Sequence, residues 1–454
     1  MTARPLPAPR AGASPARVEA LRTLCRVEED RAFADLALEA AIERAKLSPR
    51  DRALTTELVY GTLRWQRRLD WILAPHSRRR LERLDPWVRN LIRLTVYQLQ
   101  FLDKVPAWAA VNDAVSLAKR RAHGEAAPFV NAVLRSFTRG GGGLPLLPDD
   151  PVEAMATRLA FPSWLARRWA QQFGLDGAER LMTALDERPK ATVRANLLKC
   201  SQAQLAQRLK EEEEVACSAT TFAPEGLALE SPGPAARFKV FKEGWFTLQD
   251  EASILVGHLL GPKPGETVAD VCAAPGTKTT HLAALMQNSG KVVAMDPHAA
   301  RLKLVSQSAA RLGVKIVECH RGSAEALAPR FTDRFDRVLV DAPCSNLGVL
   351  RRNPDVKWRR ALADLPRLAL RQRQILDAAA SMCRPGGVLV YATCSLEPEE
   401  NEGVVLPFLD THPEWRLEPP ADFPIPLEPP AVLRCLPHRH GTDGFTAFRL
   451  QKSK

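Results

Sequence analysis

Residues 270–278 read Asp270-Val271-Cys272-Ala273-Ala274-Pro275-Gly276-Thr277-Lys278 and continue the apolar run that begins at Thr267. The run predicts a strand that ends near Cys272, and Gly276 permits a tight turn into the helix that follows. Such a turn exposes the first backbone N–H groups of the helix, whose positive end can meet a polar ligand. The stretch therefore predicts a strand, a turn and a helix of an α/β fold, with a nucleotide-like ligand at the turn.

Short apolar runs alternate with amphipathic helical segments from Pro264 onward, which is typical of a parallel sheet with helices on both faces. The predicted strands lie at residues 267–272, 291–295, 315–319, 337–340 and 387–392, the main helices at 299–312 and 365–383, and a last edge strand at 444–450. This pattern predicts a Rossmann-like domain over residues 251–454.

The chain before residue 251 divides into segments of different composition. Apolar residues recur with helical spacing over residues 15–139, which predicts an all-helical domain after a disordered tail at residues 1–14. Four glycines and three prolines predict a linker at residues 140–151, because neither residue type readily continues a helix. Helical and strand periods mix over residues 152–250, which predicts a small α/β connector.

The chain is basic: 64 Lys and Arg stand against 52 Asp and Glu, a net charge of +12, which favours an acidic partner. Half of this excess lies between Arg64 and Arg93, where nine arginines stand against three acids. Trp65, Trp71 and Trp87 interleave these arginines, and the combination predicts a phosphate-binding face. A solvated basic helix surface is the alternative interpretation.

The nine cysteines contain no C-x-x-C pair, which indicates a reducing compartment, and we expect the cytoplasm. His438 and His440 lie close together without a cysteine or carboxylate cluster beside them, so no metal site is predicted. Apolar runs stay well below the roughly 20 residues of a membrane span. No membrane partner is therefore expected.

Asp296 follows the predicted strand 291–295 and lies 20 residues after Gly276, where an acid can accept hydrogen bonds from ribose hydroxyls. The turn has a single glycine and matches neither G-x-G-x-x-G nor G-x-x-x-x-G-K-[ST], which favours a cofactor without a pyrophosphate. S-adenosylmethionine fits, because its adenosine carries ribose hydroxyls and its sulfonium charge suits a carboxylate such as Asp341.

Two cysteines, Cys344 and Cys394, each follow a predicted strand. Ligands of open α/β sheets bind at the carboxyl ends of the strands, so both thiols and Asp341 are expected above the cofactor turn. A thiolate that adds to C6 of a pyrimidine makes C5 a nucleophile toward a methyl sulfonium, and a second group then helps to release the product. Lys278 is the nearest cation able to lower a thiol pKa, and Asp341 can hydrogen-bond the pyrimidine edge. This chemistry alone leaves open which cysteine attacks.

These motifs resemble the RNA cytosine-C5 methyltransferases of the NOL/NOP2/Sun family. The resemblance rests on residues 270–278, Asp341-Ala342-Pro343-Cys344-Ser345-Asn346-Leu347-Gly348-Val349-Leu350-Arg351-Arg352-Asn353-Pro354-Asp355 and Ala392-Thr393-Cys394-Ser395. The helical segment resembles a NusB-type RNA-binding domain in Tyr97-Gln98-Leu99, Val105-Pro106-Ala107-Trp108-Ala109-Ala110-Val111-Asn112 and Phe129-Val130-Asn131-Ala132-Val133-Leu134-Arg135. Arg194-Ala195-Asn196 and the block 244–253 match the family as well, which implies that the connector is RRM-like.

The resemblance also implies roles for single residues. By position, Cys394 is the nucleophile and Cys344 assists product release, with Asp341 and Lys278 as the other catalytic residues. The implied cofactor pocket consists of Cys272, Ala273, Ala274, Pro275, Gly276, Thr277, Lys278, Asp296, Ser323 and Asp341. Thr277 stands where the family usually has a second glycine, and Ser323 stands where it has an acid after the third strand.

The function that the resemblance implies is the methylation of C5 of one cytosine in small-subunit ribosomal RNA, with S-adenosylmethionine as co-substrate and a covalent cysteine adduct at C6. A transfer RNA cytosine-C5 methyltransferase is the alternative enzyme, because the catalytic motifs do not identify the RNA. A non-catalytic RNA-binding or antitermination factor is the alternative of another class, and both cysteines and the cofactor turn argue against it. No obligate protein partner is expected.

Overall fold

A computed structural model of the protein describes residues 14–121, 126–141, 143–230 and 233–454. Residues 1–13 of the predicted disordered tail lie outside the described residues. The chain divides into two compact units. The N-terminal unit comprises the chain up to Asp186 together with residues 352–360, and the C-terminal unit comprises residues 187–351 and 361–454.

Helices dominate the first part of the chain, and strands join them from residue 191 onward. The helices are α1 (Pro15–Glu29), α2 (Ala34–Ala45), α3 (Pro49–Arg64), α4 (Gln66–Leu73), α5 (Pro86–Phe101), α6 (Ala107–Arg120), α7 (Ala126–Arg139), α8 (Pro151–Arg158), α9 (Ser163–Asp186), α10 (Gln202–Glu212), α11 (Lys239–Lys242), α12 (Glu251–Leu260), α13 (Thr277–Leu285), α14 (Ala299–Leu312), α15 (Ala324–Phe331), α16 (Val356–Arg359), α17 (Asp364–Met382), α18 (Glu402–Thr411) and α19 (Pro437–His440). The strands are β1 (Ala191–Ala195), β2 (Cys217–Ala219), β3 (Gly226–Leu229), β4 (Phe246–Leu248), β5 (Thr267–Asp270), β6 (Lys291–Asp296), β7 (Val317–Arg321), β8 (Phe335–Asp341), β9 (Cys383–Thr393), β10 (Trp415–Leu417), β11 (Val432–Cys435) and β12 (Phe445–Lys452).

The N-terminal unit is built from helices, as the spacing of its apolar residues predicts. The Ser48 side chain accepts the Asp51 amide at the start of α3, and the Asp85 side chain accepts the Trp87 and Val88 amides at the start of α5. A proline follows each of these caps, because its missing N–H costs nothing at the first helical position. The buried faces of α1, α3, α5 and α7 meet in one apolar core.

Residues 352–360 pack within the N-terminal unit, although they lie late in the sequence. The fully buried Lys357 ammonium lies 2.6 Å from an Asp186 carboxylate oxygen and 3.6 Å from the centre of the Phe161 ring. Burial lowers the pKa of Lys357 and raises the pKa of Asp186 to about 6. The Trp358 indole N–H donates to the Leu63 carbonyl at 2.7 Å. This segment is therefore fixed by a buried ion pair and a hydrogen bond.

The connector carries an antiparallel sheet in the order β2-β3-β1-β4. The order β-α-β-β-α-β along the chain, with α10 after β1 and α11 before β4, is that of a ferredoxin-like fold. A capping box between Ser201 and Gln204 begins α10, and apolar residues such as Val193 and Phe246 form the core. The predicted RRM-like connector is confirmed.

The large sheet of the C-terminal unit has the order β10-β12-β9-β8-β5-β6-β7, with β11 also paired to β12. Strands β5 to β9 run parallel, as predicted, and β12 runs antiparallel to β9. The prediction that the last strand lies at the sheet edge is wrong. One side of β12 pairs with β9, and the other side pairs with β11 and, further along, with β10.

The order of the parallel strands reverses at β5, which has β6 on one side and β8 on the other. A crevice opens at such a reversal, outside the carboxyl ends of the strands. Strands β5, β6 and β8 end in Asp270, Asp296 and Asp341, and β9 ends one residue before Cys394. In the described part of the chain, no helix is long and apolar enough to cross a bilayer.

Candidate active site

The cofactor turn begins α13 with Gly276 in the left-handed region, at φ = 102°. An added Cβ would lie 2.9 Å from the Cα atom of Val305, so a side chain has no room there. The Lys278 ammonium lies 2.7 Å from Asp341 Oδ2 and 4.8 Å from the centre of the Phe445 ring. The turn therefore places the buried Lys278 cation beside the Asp341 carboxylate at the end of β8.

The two predicted cysteines lie side by side. The Sγ atoms of Cys344 and Cys394 are 3.0 Å apart, because each follows one of two paired parallel strands, β8 and β9. The amide oxygen of Asn346 accepts from Cys394 Sγ at 3.0 Å and from Cys344 Sγ at 3.4 Å. This arrangement brings two thiols and one side-chain amide to a single point at the sheet edge.

Hydrogen bonding, burial and charge all act on the Cys394 thiol. The hydrogen bond with Cys344 and burial raise the pKa of the Cys394 thiol well above its ordinary value, and the Asp341 carboxylate adds to the rise. Lys278 acts in the opposite direction and lowers this pKa. The hydrogen bond with Cys344 is the largest cause of this rise, so a nucleophilic thiolate at Cys394 requires that this bond change, that negative charge at Asp341 be removed, or that a base take the thiol proton.

Glu400 joins the two cysteine loops and was missed in the sequence. Its fully buried carboxylate accepts the Ser345 amide at 2.8 Å, the Gln372 side chain at 2.9 Å and the Ser395 hydroxyl at 2.5 Å. The hydroxyl oxygens of Ser345 and Ser395 are 3.0 Å apart. Each serine directly follows one of the two cysteines, so Glu400 fixes both loops. No pattern in the sequence indicates this contact.

Asn401 holds the same corner from the neighbouring position. Its side chain accepts the Thr393 hydroxyl at 2.7 Å and donates to the carbonyl groups of Ser395 and Glu397. These bonds tie the end of β9 to the loop that follows it. Asn401 therefore holds the residue on each side of Cys394, Thr393 through its side chain and Ser395 through its carbonyl.

The other predicted cofactor residues follow the carboxyl ends of neighbouring strands of the same sheet. Cys272, Ala273, Ala274 and Pro275 form the stretch between β5 and Gly276. Burial raises the pKa of the Cys272 thiol, and the carboxylates of Asp270, Asp341 and Asp296 add to the rise, which shows that acidic groups surround it.

Asp296 and Ser323 lie at the ends of β6 and β7. Asp296 is 2% exposed, and its Oδ1 accepts the His298 amide at 2.8 Å. Ser323 caps α15 by accepting the Ala326 amide at 3.4 Å. Thr277 begins α13, so its substitution for a second glycine fits a helical position. The hydrogen-bond acceptor expected for ribose hydroxyls is thus present at Asp296, while Ser323 has a structural role as the cap of α15.

Arg194 contacts the start of α13 from β1; the block Arg194-Ala195-Asn196 was noted in the sequence, but no role was predicted for the arginine. Its buried guanidinium donates to the Thr277 carbonyl at 2.8 Å, to the Thr280 hydroxyl at 3.2 Å and to the Gln249 side chain. Burial lowers the pKa of Arg194 to about 9. The connector thus holds the first turn of α13, the helix that carries Lys278.

A group of Glu225, His258 and His281 has the residue types of a metal site, with ligand atoms within 4.8 Å of one another. Both Nε2 atoms already lie at hydrogen-bond distance from the Glu225 carboxylate, at 3.0 Å and 2.5 Å. The buried Nδ1 atom of His281 has no partner, whereas a metal-bound histidine almost always donates its other N–H to an acceptor. The three side chains form a hydrogen-bonded triad around Glu225.

Three family models match the chain. The model described as 16S rRNA methyltransferase RsmB/F matches residues 257–451, the NusB family matches residues 14–139, and the RsmF/B-like ferredoxin-like domain matches residues 161–236. These matches follow the Rossmann-like, helical and connector parts of the fold.

Similar proteins span nearly the whole chain. The probable ribosomal RNA small subunit methyltransferase B of Bacillus subtilis (strain 168) is 38% identical and covers 95% of this chain and 98% of its own length. The crystal structure of PH0851 has a TM-score of 0.84 at 29% identity and covers 98% of this chain and 100% of its own. The crystal structure of NSun6 from Pyrococcus horikoshii with SFG has a TM-score of 0.59 at 27% identity and covers 65% of this chain and 99% of its own.

Proposed function

The chain belongs to the RsmB/F family of 16S rRNA methyltransferases, and we propose that it methylates C5 of one cytosine in small-subunit ribosomal RNA. The observation that carries this proposal is the pair of thiols, Cys344 and Cys394, 3.0 Å apart above the cofactor turn. Carbon C5 of cytosine is not nucleophilic by itself, and covalent addition of a thiolate at C6 is the chemistry that activates it. The proposed location is the cytoplasm, where thiols stay reduced.

The residues at the strand ends fit S-adenosylmethionine, which supplies the methyl sulfonium when bound. Residues 272–278, Asp296 and Asp341 are the proposed contacts, with Ser323 at the margin. Support comes from the start of α13 at Gly276, where the first amides of a helix can meet a polar ligand, and from the carboxylates at the ends of β6 and β8. A positive sulfonium is stabilised by carboxylates, and ribose hydroxyls donate to a buried acid such as Asp296.

In the proposed reaction, the sulfur of Cys394 forms a bond to C6, and the thiol proton passes through the Asp341 carboxylate to N3 of cytosine, where the displaced electron pair ends. C5 would then take the methyl group of a bound S-adenosylmethionine, which would leave as S-adenosylhomocysteine. Asp341 hydrogen-bonds the pyrimidine edge and shares a proton with it, which reduces the negative charge beside Cys394. The positive charge of Lys278, 2.7 Å from Asp341, is then no longer neutralised by that carboxylate. This charge favours the thiolate form of Cys394. The thiol pKa therefore falls when cytosine is in place.

Release of the product requires that a base take the C5 proton, after which the bond between C6 and the Cys394 sulfur breaks. Cys344 is the proposed residue for this step, because its Sγ lies beside that of Cys394 and both approach the Asn346 side chain. The cytosine has to leave its stack to reach these groups, as bases do in other enzymes that act on them.

Single alanine variants of the cysteines test these roles. With ribosomal RNA and S-adenosylmethionine, Cys394→Ala should form no covalent RNA adduct on a denaturing gel, while Cys344→Ala should accumulate it. Cys319→Ala, which removes an exposed cysteine at β7, is the matched control and should behave as wild type. The opposite pattern in the two site variants would show that the roles are reversed.

The RNA target is tested by sequencing bisulfite-treated total RNA from a deletion strain. Loss of one methylated cytosine in small-subunit ribosomal RNA is the expected result, whereas loss of a transfer RNA site alone contradicts the proposed target. A purified protein that binds RNA but transfers no labelled methyl group would indicate a non-catalytic RNA-binding factor.

A further inference from the structure

A cleft of about 710 Å³ lies in the N-terminal unit. Both cysteines of the candidate active site belong to the C-terminal unit. The walls of the cleft are α4, the segment 77–82 and Trp358 of the segment 352–360. All of these residues belong to the one compact unit. The volume is large enough for a nucleotide, and the chemistry of the walls indicates which kind of ligand fits.

One wall is strongly basic. Arg78, Arg79 and Arg80 are exposed, and within the described residues neither Arg78 nor Arg80 has an acidic partner. Asp70, an acid of the cleft, is already bound by the Arg93 guanidinium through two contacts of 2.7 Å. Glu82 is the remaining acid, so positive charge dominates the opening. Such a surface attracts phosphates.

The basic segment predicted from the sequence is thus divided in its roles. Arg89 and Arg93 form ion pairs with Glu28 that stabilise the helices. Trp87 is buried, whereas Trp71 lines the cleft. The phosphate-binding potential of the segment is therefore concentrated at the cleft.

The other walls are aromatic and rigid. The Trp71 indole N–H donates to the Leu146 carbonyl at 3.2 Å, and the Trp358 indole N–H donates to the Leu63 carbonyl at 2.7 Å. These bonds satisfy the polar atom of each indole and fix its orientation. Both side chains are half-buried and line the cleft. Fixed aromatic surfaces beside arginines are what unstacked nucleic-acid bases bind.

We propose that this cleft binds an unpaired nucleotide of the RNA substrate, with its base against Trp71 and Trp358 and its flanking phosphates on Arg78 and Arg80. Paired bases of an A-form helix present edges and phosphates but no free ring face, so a duplex can use the arginines only. The cleft therefore selects single-stranded RNA over duplex RNA. This inference rests on the proposed function, because it assumes an RNA substrate.

Binding of a 12-nucleotide unstructured RNA and of a 12-base-pair RNA duplex to the full-length protein tests the proposal by fluorescence anisotropy. Arg78→Ala/Arg80→Ala should weaken single-strand binding roughly tenfold or more and reduce the salt slope of log K by about 1.4, since two phosphate contacts are lost. Trp71→Leu should weaken single-strand binding by roughly fivefold or more and leave duplex binding within about twofold.

The double variant Arg50→Ala/Arg180→Ala is the matched control. Both arginines are exposed in the N-terminal unit, lie outside the cleft and have no acidic partner among the described residues. It should keep the affinity of the single strand within about twofold. Circular dichroism melting checks that Trp71→Leu is folded. If Trp71→Leu does not fold, Arg78→Ala/Arg80→Ala still tests the cleft, because both arginines are exposed.

Two results would overturn the proposal: single-strand binding by Arg78→Ala/Arg80→Ala equal to that of the control, or equal losses for single strand and duplex in folded Trp71→Leu. Methyl transfer to ribosomal RNA by the wild-type protein is measured alongside. If the wild type transfers no methyl group, the proposed function fails. If it transfers methyl groups and the cleft variants bind RNA normally, only the cleft assignment fails.

Discussion

At the scale of single residues, the buried carboxylate of Glu400 links the positions of the two thiols. It accepts hydrogen bonds next to Cys344, through Ser345, and next to Cys394, through Ser395. Reactive groups lose much of their rate when they move by an ångström. Glu400 is therefore a positioning residue for both cysteines.

We expect Glu400→Ala to lower kcat roughly 100-fold and to cost about 2–4 kcal/mol of stability, because the Ser345 amide and the Gln372 side chain lose their acceptor. Glu400→Gln should recover activity to within about tenfold, since its amide oxygen can still accept these bonds. Steady-state methylation kinetics and thermal melting of both variants measure the effects.

The matched control is Glu402→Ala, which removes a neighbouring, partly exposed acid that pairs with Arg434. Its kcat should stay close to that of wild type. Equal activity of Glu400→Ala and Glu402→Ala, or no recovery with Glu400→Gln, would contradict a positioning role for Glu400.

The second residue that decides the site is Gly276, where both the backbone and the space exclude a side chain. Gly276→Ala should weaken binding of S-adenosylhomocysteine at least tenfold, as measured by calorimetry, because its Cβ would press on Val305. Gly265→Ala is the control, since Gly265 also has a positive φ, 88°, but no atom within 4 Å of the added Cβ. Its cost should be confined to about 1 kcal/mol of stability. Equal binding by the two variants would contradict this assignment.

At the scale of elements, local patterns in the sequence were sufficient for most of the C-terminal unit. The helix predicted at 299–312 has those bounds, and the five predicted parallel strands are present with ends shifted by a few residues. These elements have strong apolar periods and clear turn signals. The last strand was assigned wrongly to an edge, because it pairs with two short strands, β10 before the proline-rich loop at residues 419–430 and β11 after it.

The residues of the candidate site also fall into two groups, those that local sequence patterns could predict and those that they could not. Cysteines and acids at strand ends could be predicted, since parallel strands bring their carboxyl ends to one edge. Glu400 and Arg194 could not, because their contacts depend on side-chain directions across 55 and 83 residues of chain. Single-sequence patterns contain no information on such distant pairs.

At the scale of elements we also make a prediction for Arg194, which joins β1 to α13. Arg194→Lys keeps the charge but cannot supply donors to Thr277, Thr280 and Gln249 together. We expect the KM for S-adenosylmethionine to rise roughly tenfold, with a smaller change in kcat, because the cofactor turn loses its support. Steady-state kinetics with each substrate varied in turn separates these constants.

Arg311→Lys is the matched control for this prediction. Arg311 is a half-buried arginine that donates to the Phe241 and Phe246 carbonyls, so it bridges the same two parts of the C-terminal unit without touching the cofactor turn. Both variants should lose similar stability. An equal rise of KM in the two would show that the effect of Arg194 is general loosening of the fold.

At the scale of the whole molecule, the unfolding free energy should depend on pH through His281. The pKa of His281 is lowered from 6.5 to about 3, first by burial and then by nearby Arg194, although the hydrogen bond to Glu225 acts in the opposite direction. The unfolded chain therefore binds more protons than the folded protein between pH 6.5 and about 3. The stabilisation is fully present above pH 6.5 and is lost as the pH falls toward 3.

From pH 7.5 to pH 5.5 this single group should cost the wild-type protein about 1.4 kcal/mol. His281→Gln stays neutral at both pH values and can still donate to Glu225, so this part of the pH dependence should vanish. Urea unfolding followed by circular dichroism measures the free energy of unfolding of variant and wild type at the two pH values. The comparison at pH 7.5 gives the effect of the substitution itself. The same loss in variant and wild type would show that His281 is accessible to protons in the folded state, which would mean that the triad with Glu225 and His258 opens below neutral pH.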